Sequence, residues 1–90
     1  MEYINEAGRI AVINDSGSEI GEITFVNQPG DIWIADHTYV NNDYRGYGIA
    51  KKLVELLVER AKSEGKKIVP LCPFVKDEFI RVPEYSDIKG

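Results

Sequence analysis

The chain has 90 residues, a formal net charge of −4 and a hydrophobic content of 43%. This length predicts one domain, and this composition is that of a globular protein rather than a disordered one. The acidic balance argues against non-specific nucleic-acid binding, because that binding needs clustered basic charge. No apolar run is long enough to span a bilayer and the first residues do not begin a signal peptide, so we expect a cytoplasmic protein with no membrane partner.

Cys72 and His37 are the single cysteine and the single histidine of the chain. One cysteine excludes an internal disulfide and a metal site built from several thiolates. With one histidine as well, the chain has too few of the side chains that zinc prefers. We therefore expect no metal site.

Three strands are predicted in the N-terminal half. Residues 9–14 are β-branched and apolar, residues 19–27 alternate between apolar and polar side chains, and residues 31–40 form a third apolar run. Turn-forming residues at 15–18 and at 29–30 separate these runs. Short connections of this kind predict an antiparallel meander.

A long amphipathic helix is predicted from about residue 47 to residue 64. Its apolar side chains recur with helical spacing and form a single stripe, which consists of Ile49, Leu53, Leu56, Leu57 and Ala61. Gly65 is a suitable residue to end this helix. A strand at 67–71 follows, and then a short helix at 74–81 that stops before Pro83.

The predicted order is therefore strand, strand, strand, helix, strand, helix. The third and fourth strands are joined by a helix and should be parallel. We expect an α/β fold with a mixed, mostly antiparallel sheet and helices packed on it. In such sheets ligands bind at the carboxyl ends of parallel strands, which is where the Gly-rich segment 44–50 and Cys72 are expected to lie.

The Gly-rich segment 44–50 reads Tyr-Arg-Gly-Tyr-Gly-Ile-Ala and lies between the third strand and the long helix. Small residues let the backbone approach a ligand closely, and the first turn of a helix has N–H groups without partners. Together with the helix dipole, these groups favour a phosphate or pyrophosphate. The alternative is that the small residues serve only tight packing between strand and helix.

Arg45-x-x-Gly48-x-Ala50 resembles the acyl-CoA-binding motif of the GNAT N-acetyltransferases. Two further segments, His-Thr-x-Val at 37–40 and Pro-x-Cys-Pro-Phe-Val at 70–75, are similar to a short single-domain subfamily of that superfamily. The resemblance runs from about residue 17 to residue 87. It implies a minimal GNAT-like acyl-CoA N-acyltransferase fold.

The resemblance also implies a function and partners. The chain would bind acetyl-CoA and transfer the acetyl group to a primary amine of a small molecule or peptide, as a monomer or a homodimer. Larger GNAT enzymes have a final strand pair that closes the acceptor site, for which this chain has no room. The alternative is therefore a non-catalytic acyl-CoA-binding or interaction module.

The cofactor-binding residues follow from the motif. The resemblance implies that Arg45 and the loop and first helical turn after it hold the CoA diphosphate, through Gly46, Tyr47, Gly48, Ile49, Ala50 and Lys51. It implies that Tyr39 and Val40, at the end of the third strand, pair their backbone with the pantetheine arm as an added strand would.

Three side chains are candidates for catalysis. Cys72 is either a small buried residue or, beside the thioester, a nucleophile that accepts the acyl group. His37 is either a general base or a structural residue of its strand. Many GNAT enzymes carry a Tyr general acid where this chain has Phe79 and Ile80, and Tyr85 could substitute for it.

Overall fold

The computed structural model describes residues 1–90 as one five-stranded sheet with two α-helices and two 3-10 helices. The strands are β1 (Glu2–Glu6), β2 (Arg9–Ile13), β3 (Glu19–Gln28), β4 (Ile32–Val40) and β5 (Lys67–Pro70), and the helices are α1 (Ile49–Ser63) and α2 (Pro73–Arg81). The 3-10 helices cover Asn42–Tyr44 and Pro83–Ile88. The strands lie in the order in which they occur along the chain. β1 to β4 are antiparallel and β5 is parallel to β4, so the mixed, mostly antiparallel sheet is confirmed.

The six predicted elements occur in the predicted order, but the prediction was incomplete at both ends of the chain. It missed β1, which pairs with β2 through a tight turn at Ala7-Gly8, where Gly8 has φ 77°. β1 is an edge strand and two of its residues are glutamates, so its sequence shows little of the apolar alternation that marks a strand. The prediction also missed the 3-10 helix at Pro83–Ile88.

Both α-helices pack on the same face of the sheet, which we call the helical face. There the α1 residues Leu53 and Leu57 are fully buried among sheet residues such as Ile10, Ile23 and Ile68, in one core cluster. This burial confirms the predicted apolar stripe of α1. No helix covers the opposite face of the sheet, which we call the open face. Neither helix is long and apolar enough to cross a membrane.

A β-bulge in β4 decides which side chains point to each face. Phe25 of β3 lies opposite Ala35, but its neighbour Thr24 lies opposite His37, so Asp36 is an extra residue in β4. Side chains alternate on either side of the bulge. As a result Ala35 and Thr38 lie on the helical face, and His37 lies on the open face.

The ladder between β4 and β5 ends well before β4 does. Its last pair is Ala35 and Pro70, and the carbonyl of Ala35 accepts from the N–H groups of Leu71 and Cys72 at 3.0 and 2.9 Å. β4 continues to Val40 without a neighbour on that side. A gap therefore opens between the carboxyl ends of the two parallel strands.

Along the end of β4, the backbone groups of successive residues face β3 and the gap alternately. The N–H of Asn41 donates to Ile20 of β3, so the backbone groups of Val40 and Thr38 face the gap. Gly21 of β3 lies opposite Val40, and a Cβ at Gly21 would be only 2.8 Å from the carbonyl oxygen of Tyr39. Only glycine allows β3 and β4 to approach this closely beside the gap.

Candidate active site

A pocket of about 380 Å³ lies where the end of β4 meets the beginning of α1. It is lined by Thr38, Val40, Tyr44, Arg45, Gly46, Gly48, Ile49, Ala50, Lys51 and Phe74. The pocket is on the helical face and borders the gap between β4 and β5. The end of a strand and the beginning of a helix therefore form one concave surface.

Backbone N–H groups at the start of α1 are available to a ligand. None of the N–H groups of residues 46–51 donates to an acceptor within the protein, and no side chain caps the helix. Gly46 and Gly48 have φ angles of 88° and 77°, a backbone conformation that side chains with a Cβ disfavour. The turn thus directs a run of donors and the positive end of the helix dipole toward the pocket, which suits a diphosphate.

Two basic side chains line the same pocket. The Nε of Arg45 donates to the carbonyl of Val40 at 3.4 Å. The Nζ of Lys51 lies 3.7 Å from a carboxylate oxygen of Glu78, a residue of α2 that is only 3% exposed. Lys51 therefore links the first turn of α1 to α2, and both cations favour an anionic ligand.

Cys72 lies directly before α2, with its sulfur among hydrogen-bond donors. It is 8% exposed, and its Sγ is 3.5 Å from the Oγ1 of Thr38. Burial raises the pKa of the Cys72 thiol, but contacts with the Thr38 hydroxyl and with the N–H groups of Val75, Phe74 and Thr38 together outweigh burial and lower it. The surroundings therefore favour the thiolate, which is the nucleophilic form.

His37 lies on the open face and does not line the pocket. Its side chain is 55% exposed, and its Nε2 is 3.9 Å from a carboxylate oxygen of Glu22. Its sequence neighbour Asp36 instead accepts a hydrogen bond from the hydroxyl of Thr24 at 2.6 Å. His37 and Cys72 therefore lie on opposite sides of the sheet, both beside the gap between β4 and β5.

Tyr85 lies in the 3-10 helix after α2 and does not line the pocket either. Its ring packs against Phe79, with 5.4 Å between the ring centres. Burial, followed by nearby glutamates of which Glu55 is the foremost, raises its pKa. Tyr85 would keep its proton near neutral pH, but its position gives a general-acid role no support.

Most of the predicted cofactor-binding residues are brought together in the pocket, namely Val40, Arg45, Gly46, Gly48, Ile49, Ala50 and Lys51. Tyr39 and Tyr47 do not line it. Three further lining residues, Thr38, Tyr44 and Phe74, were not among the predicted cofactor-binding residues. Thr38 and Phe74 lie within the motif segments around His37 and Cys72, so these segments already pointed to them. The sequence does not show which side chains of β4 face the pocket, because that depends on the bulge at Asp36.

A family model described as GCN5-related N-acetyl-transferase matches residues 9–88. The chain belongs to this family. The match includes the pocket, Cys72 and both α-helices. It confirms the enzyme class that the Gly-rich motif predicted, an N-acetyltransferase.

Solved structures agree with this membership. A GCN5-like protein of the N-acetyltransferase class from Staphylococcus aureus, solved by NMR in solution, is 27% identical with a TM-score of 0.80, over 99% of this chain and 87% of its own. The ribosomal-protein-alanine N-acetyltransferase from Brucella melitensis is 26% identical with a TM-score of 0.60, over 91% of this chain and 59% of its own. An acetyltransferase of the GNAT family from Staphylococcus aureus is 18% identical with a TM-score of 0.62, over 88% of this chain and 49% of its own. The last likeness concerns the fold alone.

These matches confirm the predicted minimal GNAT fold. The protein solved by NMR is covered almost completely by this chain, whereas the other two have long parts outside the shared region. The region shared with the protein solved by NMR is 99% of this chain, so it contains the strand end, the turn and the helix that form the pocket.

Proposed function

We propose that this protein binds acetyl-CoA in the pocket between β4 and α1 and transfers the acetyl group to a primary amine of a small molecule or peptide. The observation that carries the proposal is the run of N–H groups at 46–51 without acceptors in the protein, flanked by Arg45 and Lys51. Such a run suits the diphosphate of CoA. Acetyl-CoA supplies an activated acetyl thioester.

The end of β4 suits the pantetheine arm. The carbonyl of Thr38 and the backbone groups of Val40 face the gap between β4 and β5, where no strand pairs with them, while the N–H of Thr38 contacts the sulfur of Cys72. An extended chain with amide groups can pair with such a strand edge. We infer that Val40 exchanges its contact with Arg45 for the arm, while Arg45 moves to the diphosphate. The predicted pairing with Tyr39 and the predicted contact with Tyr47 stay predictions.

We assign Cys72 as the first acyl acceptor. Its thiolate would attack the thioester carbonyl carbon, so that a bond from Sγ to this carbon forms, the bond to the CoA sulfur breaks, and CoA leaves as a thiolate that takes up a proton. The amine then attacks the acyl carbon, loses a proton, and releases the Cys72 thiolate. The lowered pKa of the Cys72 thiol and its place beside the pocket-lining Thr38 support this role.

His37 would act on the amine from the open face. The amine then approaches the gap from the side opposite to the pocket, where His37 is exposed beside Glu22. A neutral imidazole there can accept the proton that the attacking amine loses. Tyr85 stays a prediction as a general acid. The cytoplasmic location and the oligomeric state, monomer or homodimer, also stay predictions.

Binding and turnover test the proposal in two steps. Calorimetric titration with acetyl-CoA should give a Kd that rises about tenfold in Arg45→Gln, because a charge-assisted contact is lost. Arg81→Gln is the matched control, since Arg81 is an exposed arginine of α2 outside the pocket. Equal affinities in the two variants would remove Arg45 from the site, and no binding to the wild type would remove the proposal.

Intact mass spectrometry after incubation with acetyl-CoA alone tests Cys72. We expect one acetyl group on the wild type and none on Cys72→Ala. Addition of an amine should release the acetyl group from the wild type. Turnover over a panel of amines without any acetylated protein would show direct transfer. Binding without turnover or acetylation would favour the alternative, a non-catalytic acyl-CoA-binding module. The observation that suggests this alternative is the open face of the sheet, which no helix covers.

A further inference from the structure

The hydroxyl of Thr38 is the side-chain group in hydrogen-bond contact with the sulfur of Cys72. Its Oγ1 lies 3.5 Å from Sγ, within hydrogen-bond reach for a sulfur atom. The two residues come from different elements, since Thr38 belongs to β4 and Cys72 precedes α2. Thr38 also lines the pocket, whereas Cys72 does not, so Thr38 is the residue that joins the sulfur to the pocket.

The contact depends on the geometry of β4. Beyond the pair of Ala35 and Pro70, β5 no longer blocks the edge of β4, and the chain brings Cys72 alongside. The bulge at Asp36 places Thr38 on the helical face, the side on which α2 packs. A threonine in this position can rotate its hydroxyl to accept from a thiol or to donate to a thiolate.

We propose that Thr38 is the positioning residue of the transfer, whose hydroxyl donates to the Cys72 thiolate and holds Sγ toward the pocket. This inference rests on the proposed role of Cys72 as acyl acceptor. When the acyl group forms its bond to Sγ, the sulfur loses its negative charge and the hydroxyl is free to rotate. When the amine releases the thiolate, the hydroxyl donates to it again.

The backbone donors around the sulfur do not replace this hydroxyl. The N–H groups of Phe74, Val75 and Thr38 also face Sγ, but every residue other than proline supplies such a group. They stay in place in any variant that keeps the backbone. The contribution of the hydroxyl can therefore be measured separately.

The rate of alkylation of Cys72 by iodoacetamide as a function of pH tests the inference without acetyl-CoA. Cys72 is the single cysteine, so every alkylated protein reports on this sulfur. Thr38→Val keeps the β-branched shape and removes the hydroxyl. We expect alkylation at neutral pH to be about threefold to tenfold slower, the effect of one lost hydrogen bond, and the midpoint of the rate profile to move to higher pH.

Two further variants make the result specific. Thr38→Ser restores the hydroxyl and should restore the wild-type profile. Thr24→Val removes a threonine hydroxyl on the open face of the same sheet, where its partner is Asp36, and should leave the profile unchanged. Thermal unfolding of each variant confirms that it is folded.

A profile of Thr38→Val that matches the wild type would overturn the inference. So would a profile of Thr38→Ser that matches Thr38→Val, because the effect would then come from packing of the methyl group. Acetylation by acetyl-CoA is measured separately on the wild type. Its absence would remove the acyl-acceptor role of Cys72, and with it the positioning role in transfer, even if the alkylation profiles differ as expected.

Discussion

The two ends of α1 are held in different ways. At its C-terminal end, the side chain of Arg60 donates to the carbonyls of Glu6 and Arg9 at 2.9 and 3.3 Å and pairs with Glu64. The guanidinium also lies over the rings of Phe25 and Trp33, at 5.2 and 5.5 Å from their centres. At the N-terminal end no side chain caps the helix, and its first N–H groups have no partner in the protein.

The C-terminal end of α1 therefore contributes to the stability of this small fold, whereas the N-terminal end keeps groups that can bind a ligand. Groups that are already bonded within the protein cannot bond to a ligand without losing those contacts. The C-terminal end of α1 joins the helix to β1, β2 and the aromatic pair, and it is occupied. The N-terminal end keeps its donors free at a cost in helix stability, which typically is about 1 kcal/mol for a missing cap.

The largest effect is expected at the C-terminal end. Arg60→Ala removes two hydrogen bonds, an ion pair and the contact with two rings, and should lower the free energy of unfolding by about 2–3 kcal/mol. Denaturant unfolding measures this loss, and Lys62→Ala in the same last turn is the control, with a change within about 0.5 kcal/mol. The Kd for acetyl-CoA should stay unchanged. If Arg60→Ala had normal stability but bound acetyl-CoA more weakly, Arg60 would serve ligand binding rather than stability.

Lys51 and Lys52 are adjacent near the N-terminal end of α1 but have different partners. Lys51→Met leaves the buried carboxylate of Glu78 without its cation and should cost about 1–2 kcal/mol, less than a fully buried pair because Lys51 itself is largely exposed. Lys52→Met breaks a surface pair with Glu55 and should cost little or nothing. Lys51→Met should also weaken acetyl-CoA binding. Equal losses of stability in both variants would show that the Glu78 contact is no stronger than a surface pair.

Gly48 and Gly17 have similar φ angles, so substitutions at the two positions distinguish backbone strain from ligand binding. Gly48 has φ 77° and Gly17 has φ 83°, and a Cβ at either would meet nothing within 4 Å. Gly48→Ala and Gly17→Ala should therefore each lower stability by about 1 kcal/mol. Only Gly48→Ala should weaken acetyl-CoA binding, by about threefold or more, as measured by calorimetry. If Gly17→Ala weakened binding to the same extent, the effect would be one of general strain.

The smallest effect is a pH dependence of stability due to Cys72. Its pKa in the folded protein lies below the ordinary value of 9.0, because hydrogen bonds to the sulfur outweigh burial. The folded state therefore favours the thiolate, and this contribution to stability is complete above pH 9.0 and is lost as the pH falls through the lower, folded value. The stability of the wild type relative to Cys72→Ala should thus rise from neutral pH to pH 9.0. A constant difference between the two proteins would show that the sulfur is not stabilised as a thiolate.

Much of the fold could be predicted because its signals are local. The stripe of α1, the Gly-rich turn and the turn at 29–30 each follow from spacing or residue type within a few positions. The parallel pairing of β4 and β5 follows from the helix between them. These features were enough to locate the pocket, since it lies where β4 ends and α1 begins.

The remaining features depend on contacts between distant residues. Nothing near Asp36 in sequence announces a bulge, which exists because of the register with β3. Glu78 is buried because α2 packs with that side against the neighbouring elements, a position that its charge alone would not suggest. The role of Thr38 could not be predicted for the same reason, because Cys72 lies 34 positions away.

The bulge in β4 has a consequence for any variant that loses it. If β4 paired with β3 without the bulge and Asp36 took a regular place in the ladder, alternation after Ala35 would bring His37 to the helical face and turn Thr38 to the open face. The imidazole would then replace the hydroxyl on the face where the sulfur of Cys72 lies. Deletion of Asp36 would instead leave both side chains on their present faces, because regular alternation from Ala35 places His37 on the open face and Thr38 on the helical face.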